Sequence, residues 1–249
     1  MSFALFLERK LLNKKLYEEY GLYKVYLVSD KDVRDLSSKM EEFGGFGTHL
    51  QFSNIPKDEI WLAKEAKDRD KFFYINNALA QLKKVEEGYS KSDAYDFALK
   101  YERKLRENFE DIKLNPSKYD GKINEDLLKS NYGSLKDGKN RIKVRIVDGE
   151  LVRDEYKTDY IEGGHGYVYK WIPLNEIWLE DSVEESEKPL ILLHEFVELI
   201  LMKYKGMDYE KAHSIASKVE YAHRNKGFEK MDVLRLTKDD MQEMAKEFI

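Results

Sequence analysis

The chain has 249 residues and a mass of 29.5 kDa, and 42% of its residues are hydrophobic. This composition excludes wholesale disorder and suits one large domain or two of about 120 residues each. The absence of cysteine excludes disulfides, thiolate zinc sites, iron–sulfur clusters and cysteine nucleophiles. The 43 basic and 48 acidic residues are interspersed, so we expect no nucleic-acid partner.

No uncharged apolar run approaches the roughly 20 residues of a membrane-spanning helix. The longest candidate, 189–202, is interrupted by His194, Glu195 and Glu198. We therefore expect a cytoplasmic protein with no membrane partner. Glutamine is scarce beside abundant lysine and glutamate, a composition typical of proteins from hot environments.

The chain repeats itself at an offset of 117 to 119 positions. Segment 24–35 (KVYLVSDKDVRD) matches 143–154 (KVRIVDGELVRD), and 55–62 (IPKDEIWL) matches 172–179 (IPLNEIWL). We align the glycine pair 44–45 with the pair 163–164, although the spacing there differs by two residues. These blocks occur in the same order twice, so the sequence predicts an α+β fold built as a tandem duplication of a strand–strand–helix–helix module.

The predicted elements of the first copy are a strand over 25–28, the repeated block 55–62 and an apolar helix over 72–85. A second helix follows, with small residues at Ala94 and Ala98. We assign 1–115 to this copy. Turn-forming pairs favour a linker over 116–142, with a short helix at 125–130.

The second copy, assigned to 143–227, contains predicted strands at 144–147, 165–171 and 176–179. A helix is then expected from Pro189 to Gly206, and another from a cap at Asp208 to Arg224. In the last segment, 228–249, Thr237 is expected to cap an amphipathic helix. The recurring Trp61 and Trp178 are expected in the core.

The first of these two helices carries a polar group within an apolar sequence, 194–198 (HEFVE). His194 and Glu198 are four residues apart, so they project from one helical face and can chelate one divalent ion. Glu195 lies beside them, where it can accept a proton from water. His213 on the next helix is a candidate third ligand, which leaves a fourth position open for water or substrate.

This arrangement resembles the zincin metallopeptidases, in which an edge strand precedes a helix carrying HExxH and a later element supplies the third ligand. The resemblance places the family's first histidine at His194, its general base at Glu195 and the edge strand at 176–179. The chain departs from the motif at Glu198, where the family has its second histidine. The resemblance implies a peptide or other amide substrate and one zinc ion held by His194, Glu198 and His213. Manganese or iron would also suit a site richer in carboxylate.

The first copy has Asn77, Ala78, Gln81 and Tyr95 at the positions of His194, Glu195, Glu198 and His213. All four chemical groups are therefore replaced together, which predicts a degenerate copy without metal. The Glu220/Arg224 pair, in contrast, recurs as Glu102/Arg106, so we expect Glu220 to support the site rather than bind the ion.

Several alternatives stay open from the sequence. His165, in a glycine-rich turn, either joins the site or, as is more usual for such a histidine, is simply exposed. A two-metal carboxylate centre would use Glu195, Glu198, Glu220 and His223. A non-enzymatic module that binds a protein partner on the same scaffold is a further alternative.

Overall fold

The computed structural model describes residues 12–37, 40, 42–109, 123–224 and 226–249. These residues form eight strands in two four-stranded sheets and eight α-helices, which confirms the predicted α+β class. The chain divides into two compact units. Unit 1 comprises Met1–Leu114 and Arg153–Asp159, and unit 2 comprises Asn115–Val152 and Tyr160–Ile249.

Unit 1 contains a four-stranded sheet followed by two long helices. Its elements are β1 (Lys15–Tyr20), β2 (Tyr23–Val28), α1 (Asp30–Leu36), β3 (Phe46–Gly47), β4 (Glu59–Ala63), α2 (Asp68–Glu86) and α3 (Lys91–Asn108). The strand order is β1-β2-β4-β3, with the central pair parallel and both outer pairs antiparallel. Val25, Ile60 and Leu62 pack against α2 residues including Ala78 and Leu82, which forms a core.

Unit 2 repeats this arrangement and adds a C-terminal pair of short helices. Its elements are β5 (Leu128–Asp137), β6 (Asn140–Val147), α4 (Gly149–Glu155, whose residues from Arg153 onward belong to unit 1), β7 (Gly163–His165), β8 (Glu176–Glu180), α5 (Lys188–Lys205), α6 (Tyr209–Arg224), α7 (Lys230–Arg235) and α8 (Lys238–Ala245). The strand order is β5-β6-β8-β7, with the same parallel and antiparallel pairings as in unit 1.

The strand registers give the position-by-position correspondence between the two units. Leu62 and Trp61 pair with Phe46 and Gly47, whereas Leu179 and Trp178 pair with Gly163 and Gly164. Gly163 therefore corresponds to Phe46, and the predicted match of 163–164 with 44–45 was wrong by two residues. The sequence misled because unit 1 has Phe46 and Gly47 where unit 2 has the glycine pair, and its own glycine pair comes two residues earlier.

Most of the predicted helices are confirmed. Helix α5 ends at Gly206, whose positive φ of 63° suits glycine. Asp208 accepts a hydrogen bond from the Lys211 N–H at 2.9 Å, and Thr237 forms a capping box with Asp240. Trp61 and Trp178 are both buried, as predicted.

Three of the predictions about strands and turns were wrong. The strand predicted over 165–171 ends at His165, because the chain turns there and the Tyr169 N–H bonds to the His165 carbonyl. The helix predicted at 125–130 is a 3₁₀ turn over Glu125–Leu127 that leads into β5, which lies within the predicted linker. The strand predicted as the edge, 176–179, lies between β6 and β7, so the edge strand on this side of the sheet is β7.

No helix among the described residues is long and apolar enough to cross a membrane.

Candidate metal centre

The candidate site lies in unit 2 and draws on three elements. Helix α5 provides His194, Glu195 and Glu198, helix α6 provides His213, and β7 ends at His165. Helix α5 packs between the sheet and α6 through apolar residues, and His194 and Glu198 are buried among them. Buried ionisable groups need partners, and here they find one another.

Three potential ligand atoms converge, one from each of the residues predicted to bind the ion. His194 Nε2 lies 3.0 Å from His213 Nδ1, which lies 2.9 Å from Glu198 Oε2. The remaining distance, from His194 Nε2 to Glu198 Oε2, is 3.7 Å. In a tetrahedral zinc site with bonds of 2.0 to 2.2 Å, ligand atoms are about 3.3 Å apart. The three observed separations bracket that value.

Glu220 sets the tautomer of His194. Its Oε2 lies 3.1 Å from His194 Nδ1, and because an ionised carboxylate only accepts hydrogen bonds, Nδ1 must carry the proton. When the ring is neutral, as metal binding requires, Nε2 has a lone pair that faces the other two ligand atoms. Arg224 donates to Glu220 Oε1 at 2.5 Å and to Glu187 Oε2 at 2.8 Å, which holds Glu220 in place. Glu220 thus contacts His194 through the ring nitrogen that faces away from the other two ligand atoms.

His165 is fully buried beside Glu198, so the expectation of an exposed turn histidine was wrong. Its Nε2 lies 3.1 Å from Glu198 Oε1, and its Nδ1 accepts a hydrogen bond from the Tyr167 N–H at 3.3 Å. Because Nδ1 is an acceptor, the proton of the neutral ring resides on Nε2, a buried atom that lies close to Glu198 but makes no hydrogen bond. In this tautomer neither ring nitrogen of His165 offers a free lone pair to a metal.

Glu195 is the partly exposed acid of the site. A Cβ added to Gly163 would lie 3.1 Å from Glu195 Oε1, so the side chain runs directly past the edge strand β7. His165, Glu195 and Glu198 form a second group whose ligand atoms lie within 4.8 Å of one another. Burial, followed by the negative charge of Glu198, raises the pKa of Glu195 to about 7.

Opposite charges together outweigh burial in setting the pKa values of the other two α5 residues. Burial alone would lower the pKa of His194, but the carboxylates of Glu198 and Glu220 hold that pKa well above its ordinary value. Burial would likewise raise the pKa of Glu198, yet the imidazoles of His165, His194 and His213 hold it far below the usual range. Glu198 is therefore negatively charged in this buried group, and a bound cation would be attracted to that charge.

Unit 1 has a chain of polar contacts at the corresponding positions. Asn77 donates to Glu102 at 2.7 Å, as His194 does to Glu220, and Gln81 donates to Asn77 at 2.6 Å. Arg106 joins Glu102 to Asp70, as Arg224 joins Glu220 to Glu187. In unit 1 the side-chain amides of Asn77 and Gln81 thus occupy the positions that the His194 imidazole and the Glu198 carboxylate occupy in unit 2.

The two-metal alternative is not supported by the positions of its residues. His223 Nδ1 lies 2.7 Å from the Val219 carbonyl of its own helix, and Glu220 is directed at His194 and Arg224. Among the described residues, neither His/Glu group that could hold an ion contains Glu220 or His223.

Comparison with protein-family profiles, with curated protein sequences and with solved structures finds no match for this chain.

Proposed function

We propose that unit 2 is a metal-dependent hydrolase in which His194, Glu198 and His213 hold one divalent ion. The observation that carries this proposal is the convergence of three ligand atoms from two helices, each 2.9 to 3.7 Å from the others. Two imidazoles and one carboxylate form a ligand set typical of catalytic zinc, with a fourth position left for water or substrate. Manganese or iron would also suit these ligands.

The residues around the ion support hydrolytic chemistry. A bound divalent ion acidifies water and polarises a carbonyl group. Glu195 is placed to take the proton of the attacking water as its oxygen bonds to the carbonyl carbon. The same carboxyl then gives that proton to the leaving nitrogen as the carbon–nitrogen bond breaks. The substrate we propose is a peptide or another amide, as in the zincin-like proteins that the helix resembles.

We further propose that the two units arose by duplication of one zincin-like module. Support comes from the strand order, which is the same in both units. Each unit also has a chain of contacts that runs from an acid (Asp70 or Glu187) through an arginine and a glutamate to a polar residue on the long helix (Asn77 or His194). Unit 1 would then be the degenerate copy, since Asn77 and Gln81 stand where unit 2 has His194 and Glu198.

Metal content of the purified chain tests the proposal. We expect about one equivalent of a divalent metal per chain, loss of that metal in His194→Ala, and retention in the control His223→Ala. Glu195→Gln should keep the metal and lose amide hydrolysis by about a hundredfold or more. A metal-free wild-type chain would contradict the proposal and favour a module that binds a protein partner without catalysis. Loss of metal in Glu195→Gln would make Glu195 a ligand and contradict its role as base.

A further inference from the structure

An open groove with a volume of about 320 Å³, hereafter the α2–α3 groove, lies between helices α2 and α3 of unit 1. Its lining includes the apolar Leu79, Phe97 and Tyr101, the basic Lys83 and Lys84, and the acidic Glu87. Phe97 and Tyr101 stack with their ring centroids 6.4 Å apart, yet they remain 43% and 38% exposed. Paired exposed aromatics beside a cavity are typical of binding surfaces.

In unit 2 the face that corresponds to the α2–α3 groove is covered by the C-terminal helices. The corresponding residues of α5 and α6 are buried: Leu193, Phe196, Val197, Ile200, Ile215 and Val219. They share a core with Val233 of α7 and with Met241 and Ala245 of α8. The same face of the two-helix unit therefore accepts an amphipathic helical segment in unit 2. Within the described part of unit 1, no segment takes the place of α7 and α8.

The differences between the two faces indicate a reversible contact with an acidic partner. Where unit 2 has Ile200 and Leu201, unit 1 has Lys83 and Lys84. Lys84 pairs with Glu87 at 2.5 Å and lies 4.6 Å from the centre of the Phe97 ring. Glu87 interacts electrostatically with both lysines, so these three residues give the rim one net positive charge. An aromatic centre with a basic rim is the composition of a non-permanent interface rather than of a core.

We infer that the α2–α3 groove binds an amphipathic, acidic helix of a partner protein. Apolar residues of that helix would cover Phe97, Tyr101 and Leu79, and its acidic residues would pair with Lys83. Segment 237–248 of this chain has this character, because Met241 and Ala245 lie on its buried side and its four acidic residues outnumber its two lysines. A second copy does not offer this helix, since its own unit 2 buries it.

A labelled peptide tests the groove directly. The probe is residues 235–249 of this chain, carrying a fluorophore at its N-terminus, and its anisotropy is measured as full-length protein is added. We expect saturable binding that Phe97→Glu weakens about tenfold or more, because an acid replaces the central aromatic contact. Lys83→Glu should weaken binding about threefold or more and reduce its salt dependence.

Tyr95→Glu is the matched control, because Tyr95 is 40% exposed on the same helix but does not line the groove. It should leave the affinity within about twofold, and thermal unfolding should show all three variants folded. The inference is overturned if the wild-type chain fails to bind the peptide, or if Phe97→Glu and Tyr95→Glu bind equally. It is also overturned if ultracentrifugation shows a dimer that Phe97→Glu dissociates, since a second copy would then occupy the groove.

Discussion

A single carboxylate, Glu198, connects the buried histidines of the site. Its Oε2 faces His213 and His194, and its Oε1 faces His165. These contacts keep the carboxylate ionised in a setting where burial alone would favour its neutral form. The residue that departs from the HExxH motif therefore contacts three histidines, and its position supports the proposed role as ligand.

Glu220 provides a prediction at the scale of one residue. Glu220→Gln removes the charge that holds the proton on His194 Nδ1, so the His194 lone pair becomes a poorer ligand. We expect metal affinity to fall about tenfold to a hundredfold, measured by competition with a chromophoric chelator. Because Arg224 contacts Glu220, the unfolding temperature must be measured in parallel.

The matched control for this prediction is Glu102→Gln in unit 1. Glu102 contacts Asn77 and Arg106 just as Glu220 contacts His194 and Arg224, but no metal ligand depends on it. Its substitution should leave metal affinity unchanged. Equal affinities for the wild type and Glu220→Gln would show that Glu220 does not set the tautomer.

The glycine in strand β7 leaves space for the proposed base on helix α5. In unit 2 the strand has Gly163 and the helix has Glu195, whereas in unit 1 the same two positions are Phe46 and Ala78. Phe46 stacks on Tyr74 with a centroid distance of 5.1 Å and packs into the core. Unit 2 thus has glycine on the strand where unit 1 has phenylalanine, and the helix beside that glycine carries a carboxylate.

Gly163→Ala tests this contact. The added Cβ would lie 3.1 Å from Glu195 Oε1 and 3.2 Å from Ile191 Cγ2, so Glu195 has to shift. We expect amide hydrolysis to fall about tenfold or more, with metal content unchanged, because a small displacement of a catalytic group is costly.

A double-substitution cycle separates the effect on Glu195 from a general effect on the strand. In a Glu195→Ala background the carboxylate is absent, so adding Gly163→Ala should have no further effect on the residual activity. Unchanged activity in the Gly163→Ala single variant would mean that Glu195 does not act from beside β7.

At the scale of the whole molecule, the two units use similar scaffolds with different buried polar groups. Unit 1 buries Asp70 between two arginines, with Arg106 at 2.8 Å and Arg153 at 2.5 Å. This ionic network stabilises unit 1 only while it is complete, since removing one partner leaves a buried charge. Unit 2 buries the imidazole and carboxylate groups that suit a cation.

Asp70→Asn tests the stability of unit 1. We expect it to lower the free energy of unfolding by about 3 kcal/mol, because Arg153 and Arg106 each lose one buried counter-charge, although Arg106 keeps its pairs with Glu102 and Asp154. Asp68→Asn is the control, since Asp68 is two residues away on the same helix with its side chain 97% exposed, and it should change stability by less than about 0.5 kcal/mol. Urea unfolding measures both.

The Asp70 network also predicts a pH dependence. Burial alone would raise the pKa of Asp70, but Arg153 and Arg106 lower it below its ordinary value of 3.8. A depressed pKa contributes stability that is present above pH 3.8 and is lost as the pH falls through the native pKa. The stability difference between the wild type and Asp70→Asn should therefore shrink in that acid range. A difference that is constant with pH would contradict the ionic role of Asp70.

The sequence by itself determined the α+β class, the long helices and their caps, and the HEFVE group, because hydrophobic periodicity and capping residues act locally. The i,i+4 spacing was also enough to place His194 and Glu198 on one face of α5. Only the tertiary structure decided that His213 reaches them, that His165 is buried beside Glu198, and that β7 is the edge strand. Those relations depend on how strands register and helices pack, and in sequence the residues concerned lie 15 or more positions apart.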